Sequence, residues 1–444
     1  MTDCEKLSVF SKILEFRTVS AQPGSSFEMA PFLQLHDYLQ EAFPAVHKNF
    51  QRETVSKGSL LYTLSGSNPS LKPIMLTAHL DVVPAEEGEK WPYHPFRGII
   101  ENGRVWGRGS VDYKIGVSGM LQACEDILNE GFLPYRSILL AFGHDEETGG
   151  VNGAAEIVRL LRERNIQLSS VLDEGGYIYS LPWLREDVAV IGLAEKGYLT
   201  LRLTAGGEQG HASVPGIRTA AGALGECLSS LEKNQMPARI SEPVERMFKA
   251  TRHLLNDSLR EEFVSLSLSE MTNIIEKWPI GNAFVRTTTA TTMLHGSSRE
   301  NILPAEVTAL VNFRPVPGDH SKDIVKHVKK IAFPFSVEVE FEDVRKVFEP
   351  SSEASTETDD YRSIREAVEE IWPGLAVAPG IFPAATDSRH YGQIADNVYR
   401  FVPAHLGESG LSVLHSEGES VSVEDYLNAV EFYTLYIRKM CGGK

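Results

Sequence analysis

The stretch HLDVVPAEEGEKWPYHPF begins at His79, directly after the apolar run PIMLTA. In a strand, residues i and i+2 share a face, so His79 and Asp81 point the same way from a strand end. An imidazole held by a carboxylate suits a metal ligand or a general base. A polar pair capping a strand end is the plainer alternative. Further acids recur in similar settings: Asp112 in GRGSVDYK, Glu146 and Glu147 in GHDEETGG, and Asp173 and Glu174 in VLDEGG. Singly, such acids are capping or solvated groups, and Glu146 and Glu147 suit the first turn of a helix. Gathered at one edge, they would repel one another unless a cation lay between them. Zinc accepts imidazole and carboxylate and leaves a position open for water. Two such ions require a bridging carboxylate and together activate one water. The cluster then needs a second histidine, and His415 in LSVLHSEGES is a candidate.

These residues need a scaffold that brings strand ends together. PIMLTAHLDVV, RSILLAFGHDEE and SSVLDEGG read as buried strands ending in His or acids. Between them, YKIGVSGMLQACEDILNEG and GAAEIVRLLRERN carry helical periodicity. This alternation predicts an α/β fold, with a mostly parallel sheet and helices on both faces. Ligands in such sheets gather beyond the carboxyl ends of the strands. From Gly197 the pattern changes. GYLTLRLTAGG alternates in period two, and TAAGALGECLSSLEK follows as a helix. After the charged helical stretch SEPVERMFKATRHLLNDSLREEF come the strands VRTTTATTML and EVTALVNFRP, the helix SKDIVKHVKKIA and the strand SVEVEFEDV. Two strand–helix–strand units predict an inserted α+β, ferredoxin-like lid domain over 197–348. The first domain is then split into 1–196 and 349–444.

Bulk properties limit the function classes. The chain has 444 residues, 42% hydrophobic and 23% charged, and a net charge of −17. That length favours more than one domain. The charge argues against nucleic acid and anionic membrane as partners. MTDCEKLSVFSKILEF reads as an amphipathic helix rather than a signal peptide, and no apolar run has membrane-spanning length. Four scattered cysteines (Cys4, Cys124, Cys227, Cys441) suit a reducing compartment, so the expected location is cytoplasmic.

HLDVVP, WGRGSVDYK, GHDEETGG, VLDEGG, GHASVP, TDSRHY and a late LH before the terminal helix together resemble the co-catalytic zinc aminoacylase/carboxypeptidase family. FGHDEETGG, DEGG and the helical insertion resemble its Gly-Xaa carboxypeptidase and N-fatty-acyl-amino-acid hydrolase branch. The resemblance implies two Zn2+ ions, with Co2+ or Mn2+ as substitutes. It places His79 and Asp173 on one ion, Glu147 and His415 on the other, and Asp112 between them. At the aspartate-or-glutamate position it favours Asp173 over Glu174. It implies Glu146 as general base and acid, Asp81 as the partner of His79, and His211 in GEQGHASVP as an oxyanion donor, often reaching across a dimer. Without it, His211 reads as an exposed loop histidine. Tyr113, after the bridging aspartate, departs from the family's usual Met, Asp or Asn.

A substrate carboxylate calls for an arginine fork. Arg389 in TDSRHY is the first candidate and Arg314 in NFRPVPG the second, with Arg286 behind them and Asn301 on a lid loop. Arg314 has a plainer reading as a buried structural arginine. The expected activity is hydrolysis of the amide bond of an N-acyl amino acid or small peptide next to a free carboxylate. The alternatives are a short-chain aminoacylase or dipeptidase, or a catalytically silent metal-binding scaffold. The resemblance also allows a homodimer through the lid domain, while the sequence alone does not fix the oligomeric state.

Overall fold

The computed structural model describes residues 1–20, 27–85, 90–257, 259, 267–407 and 410–443. Its nine-stranded sheet runs in the order Gln51–Val55, Ser59–Leu64, Ile138–Gly143, Ile74–His79, Leu168–Asp173, Ala395–Arg400, Val188–Glu195, Ala376–Phe382, with Ile178–Tyr179 paired to Val188–Glu195. Ile74–His79, Ile138–Gly143, Leu168–Asp173 and Ala395–Arg400 are mutually parallel. Every residue of Ile74–His79, Ile138–Gly143 and Val188–Glu195 is buried. Such continuous apolar runs are what a sheet covered on both faces requires. Side chains alternate between two cores: Ile74, Leu76 and Ala78 enter one, while Met75 enters the other with Ile157 and Leu161 of the helix Ala154–Glu163. The helices Lys114–Asn129 and Val423–Cys441 pack together in the first core.

The small sheet has the order Thr288–His295, Glu306–Arg314, Leu199–Gly206, Val337–Phe341, all antiparallel. The helices Ala220–Lys233 and Ser321–Ala332 cover one face and close a separate core with Leu199, Leu201 and Leu203. Chain order strand–helix–strand–strand–helix–strand with this pairing is ferredoxin-like. Thr219 caps the first helix through its side chain, which accepts from the Gly222 N–H.

The helical segment between these halves packs elsewhere. Val244, Met247 and Phe248 of the helix Glu242–Thr251, with Ile275, Phe284 and Val285, lie in the core of the large sheet. Glu242–Thr251 rests on Ala376–Phe382 and Val188–Glu195. Trp183, fully buried, anchors the segment through ring contacts with Phe248, Trp278 and Phe284. Within 197–348, then, the ferredoxin-like unit is interrupted by a layer that belongs to the first core. Residues 258 and 260–263 of the charged helical stretch lie outside the described residues.

Candidate metal centre

Parallel register sets His79 opposite Gly143 and Leu76 opposite Leu172. The loops after these strands therefore leave from one edge. His79 is almost fully buried. Its Nδ1 donates to the Asp81 carbonyl at 2.8 Å, which leaves Nε2 facing Asp112 Oδ1 at 3.0 Å and Glu174 Oε1 at 3.5 Å. The other Asp112 oxygen lies 3.0 Å from His415 Nε2, which is 3.2 Å from Glu147 Oε2. Two potential ligand trios, His79–Asp112–Glu174 and Asp112–Glu147–His415, thus share one carboxylate.

Asp173, the expected ligand, lies in neither trio. Its carboxylate turns away from the trios and accepts from Ser388 Oγ at 2.6 Å, Thr386 Oγ1 at 3.0 Å and the Glu174 N–H at 2.8 Å. Side-chain alternation at the strand end sends Glu174 to the opposite side, towards His79. Asp81 meets His79 in two ways: its backbone carbonyl accepts from Nδ1, and its carboxylate Oδ1 lies 3.6 Å from the same nitrogen. The carboxylate accepts the N–H groups of Glu146 and Glu147, each at 3.1 Å. Asp81 therefore fixes the short turn Glu146–Thr148 that carries both glutamates. That turn ends in Gly149 and Gly150, both at positive φ, and a Cβ on Gly150 would meet Asp387 at 1.9 Å.

The electrostatics fit a cation-binding site. Burial raises the pKa of Glu146 well above the usual range; His79 opposes this, while Asp387, Glu147 and Asp112 reinforce it. Burial and Asp112 raise Glu174 likewise, and they raise Glu147 against the hydrogen bond from His415. Burial works against charge on His79, but Glu174, Asp112 and Asp81 outweigh it and push its pKa well up. Hydrogen bonds to Asp112 and Glu147 push His415 up to about 10. Glu147 Oε1 is buried with no partner. Carboxylates and imidazoles crowded in this way satisfy one another poorly, and divalent cations relieve the conflict.

The match to the model of peptidase family M20/M25/M40 spans residues 75–439. The chain belongs to this family. It is 34% identical to the probable carboxypeptidase S-like 2 of Dictyostelium discoideum, over 98% of this chain and 84% of that one. It is 37% identical to the N-fatty-acyl-amino acid synthase/hydrolase PM20D1 of Mus musculus, over 90% of this chain and 81% of that one. Human carnosine dipeptidase 1 has a similar structure, with a TM-score of 0.72 at 16% identity over 99% and 96% of the two chains. That last likeness concerns the fold. This M20 chain is accordingly a metal-dependent hydrolase of the metallopeptidase/amidohydrolase type, acting on amide bonds.

The remaining candidates of the M20 chain are spread over its two units. His211 is exposed on the small unit, in the two-stranded ribbon Gly210–His211/Ile302–Leu303, and its Nδ1 lies 2.7 Å from Ser213 Oγ. Asn301 adjoins it through Ala212 N–H to Asn301 O at 3.0 Å. Among the described residues, no hydrogen bond or ion pair joins either one to the trios. Arg314 and Arg389 sit closer. Burial lowers the pKa of Arg314, Tyr198 and Glu146 oppose that, and the Arg389 charge reinforces it. Arg389 donates to the carbonyl of Gly149, just past the Glu146–Thr148 turn. Arg286 is engaged structurally, with Glu276, Asn282 and the Met236 carbonyl.

Sequence reasoning overlooked Glu419. This buried carboxylate accepts the N–H groups of Val111 (2.8 Å), Asp112 (3.1 Å) and Gly109 (3.1 Å), and pairs with Arg108 at 2.7 Å. Arg108 in turn donates to the His415 carbonyl at 3.1 Å. The pair ties the Asp112 loop to the His415 loop. An acid four residues after the candidate histidine was the available signal.

Proposed function

We propose that the chain is a dinuclear zinc hydrolase that cleaves the amide bond of N-acyl amino acids or small peptides beside a free carboxylate. The carrying observation is the shared Asp112: one carboxylate, two histidines and two trios suit a pair of ions with a common ligand. His79, Asp112 and Glu174 would hold one ion, and Asp112, Glu147 and His415 the other. Bound there, the ions would acidify the attacking water and polarise the amide carbonyl. Glu146, positioned through Asp81, accepts the water proton and delivers it to the leaving amine. Burial, which favours its protonated form, suits a group that must hold the proton between the two steps. Arg314 and Arg389 offer guanidinium forks to the substrate carboxylate.

The names of the M20 relatives favour long-chain N-acyl amino acids as first choice, and short-chain N-acyl amino acids or dipeptides follow. A homodimer through the small unit belongs to the same proposal. Thr288–His295 is an edge strand with Met293 and Leu294 exposed, and among the described residues no hydrogen bond or ion pair joins His211 to the centre of its own chain. No helix among the described residues is long and apolar enough to cross a membrane. Cysteines without disulfide partners favour a cytoplasmic setting.

The test is a hydrolysis screen of the zinc-loaded protein against N-acetyl, N-long-chain-acyl and dipeptide substrates, with light scattering for the assembly. Turnover of at least one class is expected. None in any class would refute the reading.

A further inference from the structure

The chain passes between the two sheets beside Tyr198 and Phe348. Tyr198 precedes the strand Leu199–Gly206, and Phe348 follows Val337–Phe341. Each donates its backbone N–H to the other's carbonyl at 3.0 Å, and their rings stack with centroids 5.8 Å apart and 18° between planes. Gly197 permits this close approach, because a Cβ there would lie 2.6 Å from Phe348 O and 2.9 Å from Pro350 N. Each ring carries a guanidinium. Arg314, from the small sheet, lies 4.7 Å from the Tyr198 centroid. Arg389, from the large unit, lies 4.5 Å from that of Phe348.

An arginine in a ligand site is usually held by an acid, but that acid occupies the fork and cancels the charge. Ring faces hold a guanidinium from its flat side and leave its N–H edges open. Here Arg314 bonds Asn312 and Arg389 bonds Gly149, and among the described residues neither forms an ion pair. The two like charges also repel, which makes bracing necessary.

We propose that Tyr198 and Phe348 are positioning residues for carboxylate recognition, each presenting one arginine by its ring face with no acid paired to its fork. The inference rests on the hydrolase reading above. Because the rings also join the two units, the separation of the two forks is set by the junction itself.

The test compares KM and kcat for an N-acyl amino acid in the zinc-loaded parent, Phe348→Leu, Phe348→Tyr, Tyr198→Leu and Tyr198→Phe. The leucine variants should raise KM about three- to tenfold, the size of one cation–π contact. The aromatic replacements should restore it. In an Arg389→Ala background, Phe348→Leu should add little further loss, because the ring acts through that arginine. Unchanged KM in both leucine variants, or losses that multiply in the double variant, would overturn the proposal. Calorimetry with an N-acetyl amino acid as ligand separates it from the catalytic reading. If the parent turns over nothing yet binds this anion, and Phe348→Leu binds it several-fold more weakly, the hydrolase reading fails and the positioning role stands. Equal affinity in the two proteins, or no binding to the parent, sinks the positioning role.

Discussion

Asp112 Oδ2 lies 3.0 Å from His415 Nε2, while its Oδ1 serves His79 at the same distance. A carboxylate placed in this way belongs to both halves of the centre, whereas each histidine belongs to one. Removing them should have unequal effects. His415→Ala should leave about one ion per chain, and Asp112→Ala should bring zinc content well below one, as a shared ligand implies. Elemental analysis after dialysis distinguishes them. Two ions retained in Asp112→Ala would remove it from the bridging position.

The neighbouring acids Asp173 and Glu174 should separate by metal content too. Glu174 faces His79 at 3.5 Å, and Asp173 is occupied by Thr386 and Ser388. Glu174→Gln should lose one ion. Asp173→Asn should keep both and lower the melting temperature instead, since a buried acceptor disturbed in this way costs about 1–3 kcal/mol. The reverse pattern would restore Asp173 as the ligand.

Glu146 is held at its backbone by Asp81 and touches neither histidine by hydrogen bond. Glu146→Gln should therefore keep its zinc while kcat falls by about 10²–10⁴, the usual worth of general acid–base help. Parent-like turnover would take Glu146 out of the proton path.

Glu419 bonds three backbone N–H groups and Arg108, so its loss would loosen the Asp112 loop and strand a buried charge. We expect Glu419→Gln to weaken zinc affinity or kcat/KM by about 10–100-fold, as for other groups behind metal ligands. A competition titration against a chromophoric chelator reads the affinity directly. Values within twofold of the parent would make Glu419 a local structural acid only.

The sheet and the site edge were legible because local pattern determines both. Buried strands such as Ile74–His79 announce themselves as apolar runs, and parallel register then brings their carboxyl ends together. The choice between Asp173 and Glu174 was not legible, because it depends on Thr386 and Ser388 more than 200 positions away. Glu419 was hidden for the same reason, lying 307 positions from Asp112. The helix Glu242–Thr251 looked like part of the lid because it lies between lid strands in sequence. Its buried Val244, Met247 and Phe248 match the large sheet instead, which composition alone does not reveal.

Stepwise zinc addition to chelator-stripped protein, followed by hydrolysis of an N-acyl amino acid, is the most direct test of a two-ion amide hydrolase. Activity should be absent after stripping and reach its plateau at two equivalents per chain. Full activity in the stripped protein, or a plateau at one equivalent, would contradict the account.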